Sequence, residues 1–437
     1  MPTARSGARS DFGRHKALAR SSLTVSESAA GRRRSSATGS GGGTAAAGLE
    51  MGAGAEPGAA SGTAPGDAAS TAWAPRHSPT ASPAGPCLFH PLRIARIIRV
   101  FPMMSPMDRA FRRWTEAHLP DAWRGTGAPE WNALAVEASH RRFYRLRRAD
   151  GAGGTVVAMS SPPALENNDQ FETLAGVLED AGVAAPRILA ADRERGYFLT
   201  TDLGPVHLAD RYAREADEVL PAAIDTLHRI QAIDDPAVPP YTRQRFRDEL
   251  AIYTEWFLGG LLDSAPPDTL DDAFGELLAA TDRQPRCCVH RDYHGRNLLL
   301  LPDGTVGVVD FQDALMGPAT YDIASLLRDC YHAFPEETVA RWRDAYAAAS
   351  PLPLDRATFA VDMDLVALQR QLKAVGIFAR LWLRDGRDSH LPHVVPVLER
   401  IAVLAGRHAP AVPALGALAA HAEVMLPAAR ARLEARP

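Results

Sequence analysis

The run His290-Arg291-Asp292-Tyr293-His294-Gly295-Arg296-Asn297, followed by Asp310-Phe311-Gln312-Asp313, carries the residue types that phosphoryl transfer needs. An amide oxygen and a carboxylate are hard ligands, of the kind that hold Mg²⁺ against phosphates. A second carboxylate, free of the metal, can take the proton of an attacking hydroxyl. Each piece alone is weak, since His-x-Asp is common on loops and an Asp-Phe pair is uninformative. Spacing makes the signal. Asp292 and Asn297 stand five residues apart, the interval of the kinase catalytic loop H-R-D-x-x-x-x-N. Asp292 is therefore the candidate catalytic base, with Asn297 and Asp310 as candidate ligands of Mg²⁺ and ATP as the phosphate donor. His290 reads as a brace for the loop, and Asp322, in Gly317-Pro318-Ala319-Thr320-Tyr321-Asp322, as a group that orders it.

These residues need a hairpin to bring them together. Leu298 to Leu301 reads as a short apolar strand, Pro302-Asp303-Gly304 as turn chemistry and Val306 to Val309 as a second strand. Pairing Leu301 with Val306 sets Asn297 opposite Asp310 at the open end, with Asp292 on the loop just before. Upstream, Phe143-Tyr144-Arg145-Leu146, Thr155 to Met159, Arg187 to Leu189 and Tyr197 to Thr200 alternate like strands, and Asn167 to Ala181 reads as a helix stopped by Gly182. Asp202-Leu203-Gly204 ends this sheet as a hinge, beyond which the chain is mainly helical: Leu220 to Ile230, Leu250 to Leu261, Ile323 to Cys330 and Leu365 to Leu383. The expected class is α+β. A small sheet-plus-helix lobe, residues 106–204, precedes a larger helical lobe, residues 205–437, in the protein-kinase-like plan.

The donor side is less regular. From Met107 onward the one lysine is Lys373, and the strand where a kinase lysine is expected reads Val156-Val157-Ala158-Met159. The loop Glu137-Ala138-Ser139-His140-Arg141-Arg142 is not rich in glycine. Some other cation must then meet the nucleotide phosphates. Arg141, Arg142 and Arg145 are the candidates, with Ser139 as a hydroxyl and backbone donor; a solvated strand edge is the competing explanation for the arginines. Thr201 and Leu203, on either side of Asp202 at the hinge, are further candidates for nucleotide contact.

Composition separates a tail from a body. Residues 1–105 are Ala, Gly, Ser, Pro, Thr and Arg with few large apolar side chains before Leu88, and are read as disordered. They hold 12 Lys and Arg against 5 Asp and Glu, whereas the remaining residues hold 36 against 47, so a basic tail precedes an acidic body. Three readings of the tail compete: contact with nucleic acid or anionic membrane through Arg32-Arg33-Arg34, a targeting peptide, or a start codon set upstream of Met103, Met104 or Met107. No apolar run follows the arginines, which counts against a targeting peptide; the start-codon reading is favoured, with an inert linker next. Leu88 to Val100 is too short and too charged to span a membrane. The four cysteines, Cys87, Cys287, Cys288 and Cys330, show neither disulfide nor metal-ligand spacing. A reducing cytoplasm, no nucleic acid and no obligate protein partner are the corresponding expectations.

The motifs His290 to Asn297, Asp310 to Ala314 and Gly317 to Asp322 resemble those of the aminoglycoside phosphotransferase and choline kinase superfamily. Within it, Ala138 to Arg145, Met159-Ser160-Ser161-Pro162-Pro163, Ser325 to Tyr331 and Leu368 to Phe378 resemble most the bacterial anomeric kinases of N-acetylmuramate and N-acetylglucosamine in cell-wall recycling. The resemblance begins near Met107. It implies ATP-dependent phosphorylation of the C1 hydroxyl to an α-1-phosphate, and it covers the missing strand lysine, which that subgroup also lacks. The subgroup's first loop reads Gly-Asp-Ala-Ser where this chain has Glu137-Ala138-Ser139. The lactyl carboxylate of N-acetylmuramate invites a cation, and one of Arg370 and Lys373, three residues apart on one helix face, with Gln369, would line the sugar pocket; surface decoration or a salt bridge to the acidic body is the competing explanation. Gln312 and Asp313, directly after Asp310, are better placed for the hydroxyls of the sugar. The rivals are another small-molecule kinase of the same fold, acting on an aminoglycoside, choline or homoserine, and a non-catalytic nucleotide-binding scaffold.

Overall fold

The computed structural model describes residues 108–135 and 139–435. The expectations for residues 1–105, and those for Met107 and for Glu137 and Ala138 of the first loop, lie outside the described residues.

Alternation builds the smaller lobe. Strands β1 (Glu130–Ala133), β2 (Arg142–Arg147), β3 (Thr155–Ser160), β4 (Ile188–Asp192) and β5 (Tyr197–Thr201) form one antiparallel sheet in the order β1-β2-β3-β5-β4. On one face Leu146, Val156, Ala158 and Leu199 pack with Phe111 of helix α1 (Arg109–Ala117), whose first turn is capped by the Asp108 carboxylate. On the other, Met159 and Phe198 pack with Phe171 and Leu174 of α2 (Asn168–Asp180). Asn167 caps α2 through a bond from the Gln170 N–H, and Gly182 just beyond is left-handed, so both ends fall where the sequence marks them. Strand β1 is an addition to the expected set.

The larger lobe holds α3 (Tyr212–Gln231), α4 (Arg243–Ile252) and α5 (Thr269–Asp282), then four short strands and five more helices. Helix α4 continues into a π-helical segment, Tyr253–Leu261. Strands β6 (Arg286–Val289) and β9 (Leu315–Pro318) pair with each other, as do β7 (Leu298–Leu300) and β8 (Val306–Val308). After them come α6 (Tyr321–Leu327), α7 (Glu336–Ala349), α8 (Phe359–Asp385), α9 (Val394–His408) and α10 (Pro413–Glu434). The last two lie beyond the expected final helix. The β6–β9 pairing sets Val289 opposite Leu315, so the loop after β6 and the loop before β9 spring from one ladder. Among the described residues no helix is long and apolar enough to cross a membrane.

Candidate active site

The loop after β6 is held in an unfavourable shape by buried polar bonds. Arg291 has φ +76°, a left-handed backbone that costs a side-chain-bearing residue about 1–3 kcal/mol. Asp322, fully buried at the start of α6, accepts the His290 N–H at 2.6 Å and the Arg291 N–H at 3.0 Å. Burial pushes the Asp322 carboxyl up to about 7, against the pull of these donors and of Arg370. The buried His290 ring donates from Nε2 to the Val309 carbonyl at 3.0 Å, and burial holds it neutral, at about 4. Tyr293 anchors the loop to α3 through the Ala223 carbonyl at 2.6 Å. Gly295 has no substitute, because a Cβ there would sit 2.5 Å from the Tyr212 ring.

The hairpin differs from the expected register by one residue. Leu300 pairs with Val306, and the Leu301 N–H donates to Thr305, so Asn297 stands opposite Val309 rather than Asp310. The cause is the turn. Gly304 takes φ +83° and donates to the Leu301 carbonyl, the pattern of a three-residue loop with a bulge, which draws Thr305 into the ladder. A regular strand would then turn Asp310 away from Asn297. Asp310 instead has φ +64°, and both side chains line the same cleft as Asp292. Asn297 donates from Nδ2 to the Asp292 carbonyl at 3.1 Å, which leaves its amide oxygen for a ligand.

That cleft, about 1350 Å³, runs between the two lobes. Of the residues singled out for nucleotide, metal or acceptor contact, Arg142 and Gln369 alone do not line it. Strand alternation sends Arg142 to the sheet's other face, beside Tyr144, where it is exposed. Gln369 is fully buried and donates to Glu249 at 3.2 Å, one helix position out of phase with Arg370. Arg145 lines the cleft already engaged, donating to Asp202 at 2.6 and 2.9 Å and to the Gly204 carbonyl at 2.8 Å. Thr201 and Leu203 sit at the hinge end, and Ser139 and Arg141 near the start of β2. Gln312 donates to Asp310 at 2.7 Å, and Asp313 is exposed at the rim, where its backbone carbonyl accepts from Arg291 at 3.3 Å.

A residue that sequence reasoning missed organises the far wall. Glu249 of α4 accepts from the Tyr241 hydroxyl, from Arg291 at 2.5 Å, from Lys373 at 3.1 Å and from Gln369. Burial alone would raise its carboxyl, yet Lys373 and Arg291 bring it down to about 2. Its signal was present: Phe246 and Tyr253, three and four residues away, are buried, so an acid stands on the apolar stripe. Asp292 follows the same logic. Burial works against its charge, and Lys373, Arg291, His294 and Arg370 outweigh burial and hold it at about 2. Asp310 goes the other way, raised by burial and by the nearby Asp292 charge.

The set suits a divalent cation. Asp292 and Asp310 line one cleft and their charges oppose each other, and the Asn297 oxygen completes a hard donor group. Among the described residues no cluster of three or more His, Cys, Asp or Glu side chains would hold a metal alone. Two protein ligands suffice for Mg²⁺ where phosphates supply the rest.

The model of the phosphotransferase enzyme family matches residues 130–358, more than half of the chain. The chain belongs to this family. The phosphotransferase is 36% identical over 304 residues to the N-acetylmuramate/N-acetylglucosamine kinase of Pseudomonas aeruginosa, covering 64% of this chain and 87% of that one. It is 35% identical over 323 residues to the kinase of the same name from Pseudomonas putida, covering 70% and 94%. Among solved structures, Plasmodium vivax ethanolamine kinase superposes with a TM-score of 0.50 at 10% identity, over 65% of this chain and 85% of that one, a likeness of fold alone.

Proposed function

We propose that this phosphotransferase moves the terminal phosphoryl group of ATP to the anomeric C1 hydroxyl of N-acetylmuramate and N-acetylglucosamine. The observation that carries the reading is a single cleft with Asp292, Asn297 and Asp310 at its centre and Arg370 and Lys373 on its far wall. The relatives named as kinases of these two sugars supply the acceptor.

The chemistry fits the residues. Asp292 orients the acceptor hydroxyl and receives its proton. The C1 oxygen bonds to the γ-phosphorus, the bond from that phosphorus to the β–γ bridging oxygen breaks, and ADP leaves. A carboxyl near 2 is a weak base, so the proton moves late, which a loose transition state permits. A hemiacetal hydroxyl is more acidic than an ordinary alcohol and lightens that task further. Asn297 and Asp310 would hold Mg²⁺, which when bound neutralises phosphate charge. Thr201 and Leu203 would meet the base at the hinge. Gln312 and Asp313 would meet sugar hydroxyls at the rim.

Arg370 is the better partner for a lactyl carboxylate. Lys373 is committed to Glu249, whereas Arg370 donates only to the Arg291 carbonyl at 3.3 Å and has no carboxylate within ion-pair distance among the described residues. A cationic aminoglycoside or choline would meet these same charges unfavourably. The α-1-phosphate product is the substrate class for nucleotidyl transfer, which suits UDP-sugar salvage and peptidoglycan recycling in the cytoplasm. The test is incubation with ATP, Mg²⁺ and a panel of sugars, read by ³¹P coupling to H1. Phosphate on a primary hydroxyl, or none on either amino sugar, would reject the reading.

A further inference from the structure

A nucleotide-binding cleft in this fold requires a cation over the phosphates on the donor side. The cleft face of the sheet offers apolar Val157 and Met159 where a lysine is expected. Arg142 faces away, and Arg145 is bound to Asp202 and the Gly204 carbonyl. Arg141 is left. Its guanidinium packs 5.4 Å from the centre of the Phe171 ring, and Nε donates to Ser161 Oγ at 3.2 Å. The side chain is 3% exposed, and neither Nη makes a hydrogen bond among the described residues. Glu166 meets the guanidinium at its Nε edge, 3.6 Å away, so both Nη groups keep donors for a second anion in the cleft.

We infer that Arg141 is the cation that grips the phosphates of the nucleotide in place of a strand lysine, with Glu166 and Ser161 as the groups that aim it. This rests on the proposed use of ATP and identifies which residue holds the phosphates. The aiming set is built from three segments. Ser161 donates to Asn168 at 2.5 Å, and Asn168 donates back to the Ser161 carbonyl at 2.9 Å, so the hydroxyl that receives Arg141 is fixed to the first turn of α2. Glu166 stands 3.6 Å from Arg141 Nε and accepts from the Ser139 hydroxyl and the His140 N–H, each at 2.9 Å. One carboxylate thus ties the loop before β2 to the guanidinium. Phe171, beneath Arg141, stacks on Phe311 at 5.3 Å, so the cation is carried on the same aromatic column as the Asp310 segment. The cationic position has moved one strand over, from β3 to the residue leading into β2, and across Ser161.

The experiment is nucleotide titration of the full chain with adenosine, ADP and ATP in the presence of Mg²⁺ and without sugar. Arg141→Gln keeps a stem over Phe171 and removes the charge. ATP and ADP affinity should fall by about tenfold to a hundredfold, the loss of one charge-assisted contact set, with adenosine affinity unchanged; the melting temperature should fall, since Glu166 loses its partner, and titrations are read well below it. Arg141→Lys should recover part of the loss. Glu166→Gln, which leaves the guanidinium in the chain, should weaken ATP severalfold and leave adenosine alone. Equal loss of adenosine and ATP would reduce Arg141 to a structural role and overturn the inference, as would an unchanged ATP affinity. A wild-type chain that binds no nucleotide would overturn the ATP reading and this inference with it. Normal ATP binding without sugar phosphorylation would sink the acceptor assignment alone.

Discussion

Glu249 joins charges from three segments, α4, the loop after β6, and α8, and its removal tests whether they act together. Glu249→Gln keeps the size, leaves Lys373 without its ion-pair partner and leaves Arg291 only the exposed Asp313 at 3.7 Å, a change that costs about 3–5 kcal/mol. The acid limb of stability should shift as well. Its carboxyl sits near 2 against an ordinary 4.5, so its contribution is complete above 4.5 and is lost as pH falls through that window. A pH series of melting temperatures should therefore flatten between about 2 and 4.5 in the variant, and an unaltered slope would remove Glu249 from the acid response. Asp292→Asn is a different case, because the isosteric amide keeps the loop and removes the proton acceptor. Turnover should drop by about a hundredfold or more with the fold intact, and near-normal turnover would reject its role as base. Arg370→Ala should raise KM for N-acetylmuramate well beyond its effect on N-acetylglucosamine; equal effects on the two sugars would end the carboxylate contact.

The elements around these residues were legible to different degrees. Helix α2 could be read from both ends, since Asn167 and Gly182 are cap chemistry that acts locally. The β7–β8 register could not, because whether Thr305 is loop or ladder depends on the left-handed backbone at Gly304. Gln369 was grouped with Arg370 and Lys373 by nearness in sequence, but a step of one residue along a helix turns the side chain through about 100°, and here into the core. Helix α9 carries a clear apolar stripe of Val394, Val397, Leu398 and Ile401, whereas the alanine-rich α10 has little contrast to read. The π-helical segment begins where Gly376 of α8 packs closely on the end of α4. A Cβ on Gly376 would lie 2.5 Å from the Ile252 carbonyl oxygen, a backbone atom that cannot swing aside. Gly→Ala inside a helix ordinarily stabilises by about 0.5–1 kcal/mol, while forcing a methyl into a packed crossing costs about 1–3 kcal/mol. Gly376→Ala should therefore be destabilising, and because α4 carries Glu249 it should also lower turnover. A rise in melting temperature would show that the crossing gives way.

At the scale of the whole molecule, the cleft depends on how the sheet lobe is fastened to the hairpin that carries Asn297. The Val308 N–H donates to the Ala184 carbonyl at 2.8 Å and the Leu300 N–H to the Val206 carbonyl at 2.9 Å, so the hairpin is bonded on both sides of the hinge. Gly307 lets Leu203 pack against this ladder, since a Cβ there would meet the leucine side chain at 2.9 Å. Arg145 and Asp202 complete the joint, with Asp202 almost buried and Arg145 one-fifth exposed. Asp202→Ala leaves that guanidinium unpaired and should cost about 3 kcal/mol. The reverse change, Arg145→Ala, strips a cation from the cleft face, and the two explanations of Arg145 part here. If it is a hinge fastener, ATP and adenosine should weaken together in either variant, because both depend on where Thr201 and Leu203 stand. The double variant should then be little worse than either single one, with a coupling of about 1–3 kcal/mol in stability. If Arg145 touched phosphate instead, Arg145→Ala would selectively weaken ATP while Asp202→Ala would not, and the double variant would bind ATP as weakly as Arg145→Ala alone with adenosine unaffected. The closed pair of bonds to Asp202 favours the first outcome, and nucleotide titrations of the three variants beside their melting curves decide between them.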